Sequence, residues 1–289
     1  MQRVKILGLL ATILIAAMVV GACGGSQGAT GSTSSTGLGT VKVGTNAEYP
    51  PFESVDANGK IIGFDIDLMN AIGKAAGFTP EFTNTRWDGI FVALASGEFD
   101  AVSSAVTIND ERKKTVDFSD PYFNAGQMIA VKKDSSVTKP EDLAGKKVGV
   151  QLGTTGDLWI SDQADSGKIA AEVARYDEIT LAFQALANGD IDAIVNDAPT
   201  SADIIKANPE WGVALVGKPF TDEFYGFAVR KERADVVKAI NDGLAKVKAS
   251  GEYDKIYTQW FGTCLLYTST CRHLRLRRRN STCRGPCPG

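Results

Sequence analysis

The sequence predicts an α/β fold of two lobes, each a mostly parallel sheet flanked by helices, with a ligand cleft between the lobes. One observation is an internal repeat, since ALASGEFDAVSS at 93–104 matches ALANGDIDAIVN at 185–196. A fainter repeat relates KVGTN at 42–46 to KVGVQ at 147–151. In each copy a strand is followed by helices, a glycine turn and a short apolar strand. That order is typical of parallel sheets with crossover helices.

Apolar residues that recur at helical spacing predict the helices of both lobes. The four stripes are Ile66, Met69, Ile72 and Ala76; Trp87, Ile90, Phe91 and Leu94; Ile179, Ala182, Phe183 and Leu186; and Val236, Ile240, Leu244 and Val247. Gly97 and Gly189 follow two of these stripes as helix C-caps. The short strands AVSSAV and AIVND come directly afterwards. The last stripe belongs to segment 222–263, which we expect to complete the first lobe.

The start of the chain is composed differently from its middle. Residues 1–22 combine a basic start with a short apolar run and small residues, which predicts a secretory signal peptide rather than a transmembrane span. The VGAC ending resembles a bacterial lipoprotein signal, which implies cleavage before Cys23 and lipidation of that cysteine. An ordinary signal or an uncleaved anchor is the alternative. Gly, Ser, Thr and Ala dominate residues 23–40, which predicts a flexible, lipid-anchored linker.

The last segment, 264–289, carries four of the five cysteines, the only histidine and no acidic residue. Its Cys and His spacing fits no zinc site, although a basic tail could bind nucleic acid or anionic lipid. The stretch CLLYTS reads like translated adapter or frameshifted DNA, so we expect this tail to be an artefact. The predicted folded part consists of 41–128 as lobe 1, 129–221 as lobe 2, and 222–263 as the completion of lobe 1.

The charge and the cysteine content of the middle exclude several classes of function. Once the signal and the tail are set aside, 23 basic residues remain against all 34 acidic ones, a formal charge of about −11. Such an acidic surface argues against nucleic acid binding. Residues 24–263 contain no cysteine and no histidine. This excludes a disulfide framework, a Cys or His nucleophile and a His metal site, and we expect neither a cofactor nor a metal.

Polar residues lie where the repeated strands end. Asn46 and Gln151 end the fainter repeat, whereas Ser104–Ala105 and Asn196–Asp197 end the stronger one. Open α/β sheets bind ligands at the carboxyl ends of their strands. If the two lobes face each other, these positions meet in one cleft.

Six stretches now identify a family resemblance. They are GTNAEYPPFE, GFDIDLMNAI, RWDGIFVAL, TINDERKKTVDFSDPY, DLAGKKVGVQLGTT and YDKIYTQWFG. With these motifs in this order, residues 41–263 resemble the family 3 solute-binding proteins of polar amino-acid ABC transporters, which have the type II periplasmic-binding fold. The resemblance implies a monomeric extracytoplasmic receptor whose lobes close on one amino acid and deliver it to a permease.

The resemblance assigns the α-carboxylate of the ligand to Arg112. A planar guanidinium matches a carboxylate and stays charged in a dry cleft. A solvated surface residue is the alternative, but that description suits the two neighbouring lysines better. The hydroxyl of Thr107 and the backbone of Ala105 are implied for the α-ammonium and the α-carboxylate, with Ser104 beside them. An ordinary strand end is the alternative for this segment.

Two features of the second lobe are implied for the same ligand groups. QLGTTGD lies between a strand and a helix, where backbone N–H groups attract anions. The resemblance places Thr154 and Thr155 on the other side of the carboxylate; a phosphate loop is disfavoured because no Walker lysine follows. Asp197 is implied as the partner of the α-ammonium, with a turn residue before proline as the alternative. Because Asp197 and Arg112 come from opposite lobes, a zwitterion would bridge them and favour closure.

The ligand side chain is the least determined feature. Tyr49 and Trp87 match an aromatic pair that sandwiches it, although Trp87 could equally be core. Relatives that bind arginine or lysine tend to carry an acid at the position of Asn46. The three amides here, Asn46, Gln151 and Asn196, favour a neutral polar side chain such as that of glutamine. A basic ligand is the second choice, because an inward-facing Glu48 would restore a preference for cations.

Two other functions stay open at this point. A dehydratase of the same fold, similar to cyclohexadienyl dehydratase, would need an acid–base group beside the ligand, for which Asp197 and Glu48 are the candidates. A sensor domain would need a transmembrane helix after the lobes, and the sequence presents none there. The binding protein is the favoured prediction, with no catalytic residue.

Overall fold

The computed structural model describes residues 37–262. The predicted signal peptide, Cys23, most of the predicted linker and the tail from 264 lie outside the described residues. The first strand begins at Gly39. It therefore includes the last two residues of the predicted linker, 39 and 40.

Short strands alternate with helices along the whole of this range. The strands are β1 (Gly39–Thr45), β2 (Glu48–Tyr49), β3 (Glu53–Val55), β4 (Ile61–Ile62), β5 (Phe78–Asn84), β6 (Ala101–Val102), β7 (Val116–Phe118), β8 (Phe123–Ala125), β9 (Gln127–Lys132), β10 (Lys147–Gln151), β11 (Glu172–Tyr176), β12 (Ala193–Asp197), β13 (Val213–Val216), β14 (Glu223–Tyr225) and β15 (Ala228–Arg230). The α-helices are α1 (Phe64–Ala76), α2 (Ile90–Ser96), α3 (Asp110–Lys113), α4 (Thr155–Asp165), α5 (Ile179–Asn188), α6 (Ala198–Ala207), α7 (Ala234–Ala249) and α8 (Glu252–Phe261).

Two five-stranded sheets confirm the predicted two-lobed α/β fold. Their strand orders are β5-β1-β6-β15-β7 and β11-β10-β12-β9-β13. In each sheet four strands run in the same direction and one, β15 or β9, runs against its neighbours. Strand β15 comes from the segment that was predicted to complete lobe 1. Strand β9 starts the second sheet at Gln127, slightly before the predicted boundary at 129.

The internal repeat has a packing cause. In lobe 1, a Cβ atom added to Gly44 of β1 would lie 2.6 Å from the ring of Phe99. In lobe 2, a Cβ atom added to Gly149 of β10 would lie 2.4 Å from Cδ1 of Ile191. Strands β1 and β10 thus each need a glycine, because the apolar residue of the turn before the neighbouring strand, β6 or β12, presses against their backbone. Both lobes therefore carry a glycine at the same position of the repeat.

The predicted helical stripes form the cores, with one difference. The glycine C-caps at Gly97 and Gly189 adopt left-handed conformations, with φ of 86° and 85°. Trp87 lies in a 3-10 turn, Trp87–Gly89, before α2, and is only partly buried, as are Phe91 and Ala76. The remaining stripe residues are buried. None of the helices within 37–262 combines the length and the apolar composition needed to span a membrane.

Two short strands carry the chain between the lobes. Strands β8 and β14 pair antiparallel, with Glu223 opposite Ala125. The chain passes into lobe 2 after β8 and returns to lobe 1 after β14. The cleft lies between the lobes beside this crossing, and residues of both lobes line it.

Candidate ligand-binding site

One cavity between the lobes brings the predicted site residues together. Its empty volume is about 310 Å³, including the space that opens to solvent. It is lined by Asn46, Tyr49, Glu53, Trp87, Ser104, Ala105, Thr107, Arg112, Gln151, Thr154, Thr155 and Asp197. All eleven positions that were predicted to contact a ligand are in this lining, and Glu53 is an addition. The strand ends therefore do meet across the cleft.

Arg112 is held in the cavity wall by a short helix. Asn109 caps α3 by accepting a hydrogen bond from the Arg112 N–H at 2.8 Å. The guanidinium lies 5.2 Å from the Trp87 ring centre and 5.1 Å from that of Phe91. Its Nη1 donates to the carbonyl of Thr107 at 2.9 Å. Stacking on aromatic faces fixes the plane of the guanidinium and leaves its other N–H donors available.

The charge of Arg112 has no ion-pair partner among residues 37–262. No carboxylate oxygen in that range lies within 4.0 Å of its nitrogens. Burial lowers the pKa of Arg112 from 12.5 to about 10, although the negative charges of Asp197 and Glu223 oppose that shift. The next residue, Lys113, instead projects to solvent and pairs with Asp110 at 3.4 Å. A partly buried guanidinium without a carboxylate partner is costly, so the cavity is suited to an anionic group brought by a ligand.

The segment that follows β6 leaves the strand after two residues, earlier than predicted. Ala105 adopts a left-handed conformation, with φ of 46°. Its N–H donates to Asp65 Oδ2 at 2.9 Å. The Ser104 hydroxyl accepts from the Asn46 N–H at 3.0 Å and donates to Glu53 Oε1 at 3.1 Å. Because the Ala105 N–H is used in this way, only the Ala105 carbonyl is left to contact a ligand. The Ser104 hydroxyl is likewise used in hydrogen bonds within the protein.

The N-terminus of α4 presents backbone rather than side-chain donors to the cavity. Thr154 caps the helix by accepting from the Asp157 N–H, and its hydroxyl donates to the Gln151 carbonyl at 2.7 Å. The Thr155 hydroxyl donates to Glu223 Oε2 at 2.8 Å. Both hydroxyls are therefore committed within the protein. What remains for an anion is the N–H groups of Thr155 and Gly156 in the first helical turn, which have no intrahelical acceptor.

Asp197 ends β12 on the lobe-2 side of the cavity. Gln127 Nε2 donates to its Oδ1 and the Tyr225 hydroxyl donates to its Oδ2. Burial, together with the nearby negative charge of Glu223, raises the pKa of Asp197 to about 6. The carboxylate is thus ionised at neutral pH and retains lone pairs for a further donor.

The aromatic pair differs in its burial. Tyr49 is buried, and its hydroxyl reaches across the cleft to donate to Asn196 Oδ1 at 3.0 Å. The Asn196 amide group also donates to Ser201 Oγ at 3.1 Å. Asn196 is absent from the cavity lining, so the expectation that a third amide faces the ligand is wrong. Trp87 both lines the cavity and packs against the Ile90 cluster.

The other two amides pair with each other across the lobes. Gln151 Nε2 donates to Asn46 Oδ1 at 3.3 Å and to the Asp177 carbonyl at 3.1 Å. Asn46 Nδ2 donates to the Thr85 carbonyl at 3.2 Å. Both N–H groups of Gln151 and one of the two N–H groups of Asn46 are used in this way, whereas Gln151 Oε1 receives no hydrogen bond from residues 37–262. Glu48 does not line the cavity.

Sequence reasoning missed three residues that shape the site: Glu53, Gln127 and Glu223. Burial and the neighbouring Asp65 raise the pKa of Glu53 well above its ordinary value, which favours the neutral form of this side chain. Glu53 is the last residue of the GTNAEYPPFE motif, so the sequence did contain a pattern that points to it. The bonds of Gln127 and Glu223 join residues far apart in the chain, and no local pattern marks them. No grouping of His, Cys, Asp or Glu in the described range could hold a metal ion.

Comparison with known proteins gives one consistent family. The family model of the bacterial extracellular solute-binding proteins, family 3, matches residues 41–263. A probable histidine-binding protein of Neisseria gonorrhoeae is 44% identical over 254 residues, which make up 87% of this chain and 94% of that relative.

Solved structures agree with the sequence relatives. An ancestral arginine-binding protein bound to arginine matches with a TM-score of 0.75 and 48% identity, over 78% of this chain and 100% of that one. An ancestral arginine-binding protein bound to glutamine matches with a TM-score of 0.73 and 48% identity, over 78% and 98% of the two chains. These relatives are named for binding amino acids and not for catalysis.

Proposed function

The chain belongs to family 3 of the bacterial extracellular solute-binding proteins, and we propose that it captures one polar L-amino acid and delivers it to an ABC transporter permease. Capture occurs by closure of lobe 1 (41–128 and 222–263) on lobe 2 (129–221). The relatives bind solutes and are not enzymes, which disfavours the dehydratase. No specific observation favours a sensor domain.

The observation that carries this proposal is the unpaired charge of Arg112 in a cleft that opposes it with Asp197. The guanidinium binds the α-carboxylate of the ligand, with the N–H groups of the α4 N-terminus on its other side. Asp197 and the Ala105 carbonyl accept from the α-ammonium, together with the Thr107 hydroxyl oxygen. Since Arg112 and Asp197 belong to different lobes, a bound zwitterion stabilises the closed arrangement relative to the open one.

The far end of the cavity favours a side chain that donates hydrogen bonds. Both N–H groups of Gln151 and one of Asn46 are used within the protein, and Gln151 Oε1 is left as an acceptor for a ligand. Burial raises the pKa of Glu53, which disfavours its charge, and Ser104 already bonds this carboxyl group, so Glu53 is poorly suited to neutralise a basic group. We therefore propose glutamine, or another neutral polar amino acid, as the first choice and a basic amino acid as the second. Tyr49 and Trp87 flank this side chain.

The remaining parts of the chain fit an extracytoplasmic receptor. We propose that residues 1–22 are removed, that Cys23 is lipidated, and that residues 23–40 tether a monomer to the membrane surface. The acidic folded part has no role with nucleic acid, and binding requires no cofactor. Residues 264–289 take no part in this function.

Calorimetric titration of the purified protein with matched ligand pairs tests the proposal. L-Glutamine and L-arginine each have an analogue that lacks only the α-carboxylate, namely 4-aminobutanamide and agmatine. At least one of the two amino acids should bind, and its analogue should bind at least about 30-fold more weakly, because the partly buried Arg112 charge is then left unpaired. Equal binding of an amino acid and its analogue would contradict the role of Arg112.

A further inference from the structure

Glu223 makes contacts in the cleft that the proposed function does not use. It lies on β14, at the point where the chain passes from lobe 2 back to lobe 1. Its Oε2 accepts a hydrogen bond from Thr107 of lobe 1 at 3.0 Å. The same oxygen accepts from Thr155 of lobe 2 at 2.8 Å. One carboxylate oxygen therefore holds a hydroxyl from each lobe.

The backbone on either side of Glu223 is attached to different lobes. After it, the Phe224 carbonyl accepts from the Ile108 N–H of lobe 1 at 2.8 Å. Before it, the Thr221 hydroxyl accepts from the Gln127 N–H, which starts the lobe-2 sheet, also at 2.8 Å. Thr221 in turn donates to Glu223 Oε1 at 2.8 Å, which fixes the direction of the carboxylate. Glu223 is thus located at the crossing between the lobes, and its two Oε2 bonds join a hydroxyl of lobe 1 to a hydroxyl of lobe 2.

We propose that Glu223 is an interlobe latch, a positioning residue that stabilises the closed cleft by joining Thr107 to Thr155. The proposal rests on the proposed function, and it adds a residue that controls closure without being part of the cavity lining. Hydrogen bonds to a charged acceptor are stronger than neutral ones, so this carboxylate contributes more to closure than a neutral side chain would.

The latch also determines how Thr107 meets the ligand. A hydroxyl that donates its proton to Glu223 can offer only its oxygen lone pairs to the cavity. Thr107 is therefore held as an acceptor, which suits an α-ammonium. Removal of Glu223 would free the hydroxyl to rotate and would separate Thr155 from lobe 1.

Two measurements on the purified protein test the latch. Small-angle scattering of the ligand-free protein measures closure and needs no ligand. Stopped-flow measurement of the release of L-glutamine and of L-arginine measures the stability of the closed complex. The variants are Glu223→Ala, Glu223→Gln and Thr155→Val. The matched control is Asp222→Ala, which removes an equal charge next to Glu223 on an exposed residue that bonds only Asn124 among residues 37–262.

The latch predicts a larger radius of gyration for ligand-free Glu223→Ala and Thr155→Val, and an unchanged value for Asp222→Ala. Ligand release should become about tenfold faster in Glu223→Ala, whereas the association rate changes much less. Adding Thr155→Val to Glu223→Ala should not speed release further, because both changes break the same bond. Glu223→Gln, which keeps the shape and loses the charge, should fall between the wild type and Glu223→Ala.

Unchanged scattering together with release within twofold of the wild type would overturn the latch. The same holds if Asp222→Ala matches Glu223→Ala, since the effect would then come from net charge alone. If the wild type binds none of the amino acids, the proposed function fails instead, and the ligand-free scattering still decides the latch.

Discussion

Replacing Arg112 by methionine should stabilise the ligand-free protein while it abolishes binding. The folded cleft lowers the pKa of Arg112 from 12.5 to about 10, which corresponds to about 3 kcal/mol against the charged form. The change also loses the bond from Nη1 to the Thr107 carbonyl, at a cost of about 1 kcal/mol. Methionine can pack against the rings of Trp87 and Phe91 in place of the guanidinium. The net gain of about 2 kcal/mol should raise the Tm by roughly 4 °C.

The affinity for the ligand should fall, whereas the stability of the ligand-free protein should rise. Without the guanidinium, the ligand α-carboxylate would be buried without its partner, and affinity should fall at least about 30-fold. Differential scanning calorimetry without ligand and titration calorimetry with L-glutamine or L-arginine measure the two effects. Lys113→Met is the control, because this neighbouring lysine is exposed and its ion pair with Asp110 contributes little. It should leave both quantities unchanged. A Tm for ligand-free Arg112→Met several degrees below that of the wild type would refute the reasoning and make Arg112 a structural residue.

Three further results are expected. Because the pKa of free Asp197 is about 6 and a bound ammonium would lower it, affinity should be full well above pH 6 and decline as the pH falls through 6. Titrations of Asp197→Asn should be weak and nearly independent of pH. Burial raises the pKa of Asp65, so its contribution to stability is present at low pH and is lost as the pH rises through the folded value. Urea unfolding of Asp65→Asn at pH 5 and pH 8 should show a smaller loss between the two than the wild type does, and an equal loss would contradict this. Glu48→Gln should change the affinity for L-arginine by less than twofold, since Glu48 lies outside the lining, and a larger loss would return Glu48 to the pocket.

The sequence predicted the positions of the site better than their hydrogen bonds. Strand ends locate residues such as Asn46 and Asp197, because parallel strands with crossover helices have few topologies. The use of each hydroxyl depends instead on partners from distant segments. Ser104 donates to Glu53 and Thr107 to Glu223, across 51 and 116 residues of chain. No local period carries such information, so the commitment of these donors to the protein's own network could not be predicted.

In the fold as well, some elements could be predicted from local sequence and others could not. The helical stripes and their glycine caps were predictable, since burial of one face imposes the 3.6-residue period. The antiparallel strand within each sheet was not. Strand β15, Ala228–Arg230, has three residues, too few for any alternation to be recognised. It enters the sheet of lobe 1 because the chain returns to that lobe through β14. Such a return depends on tertiary packing and leaves no local pattern in the sequence.

The central claim is that the cleft closes on one polar L-amino acid. Thermal unfolding of the wild type with each of the twenty L-amino acids, one at a time, tests it most directly. A ligand at a hundred times its Kd adds about 2.7 kcal/mol to the free energy of unfolding, which shifts the Tm by several degrees. Such a shift is expected with glutamine or another neutral polar amino acid, or with a basic one as the second choice. An unchanged Tm with all twenty would contradict it.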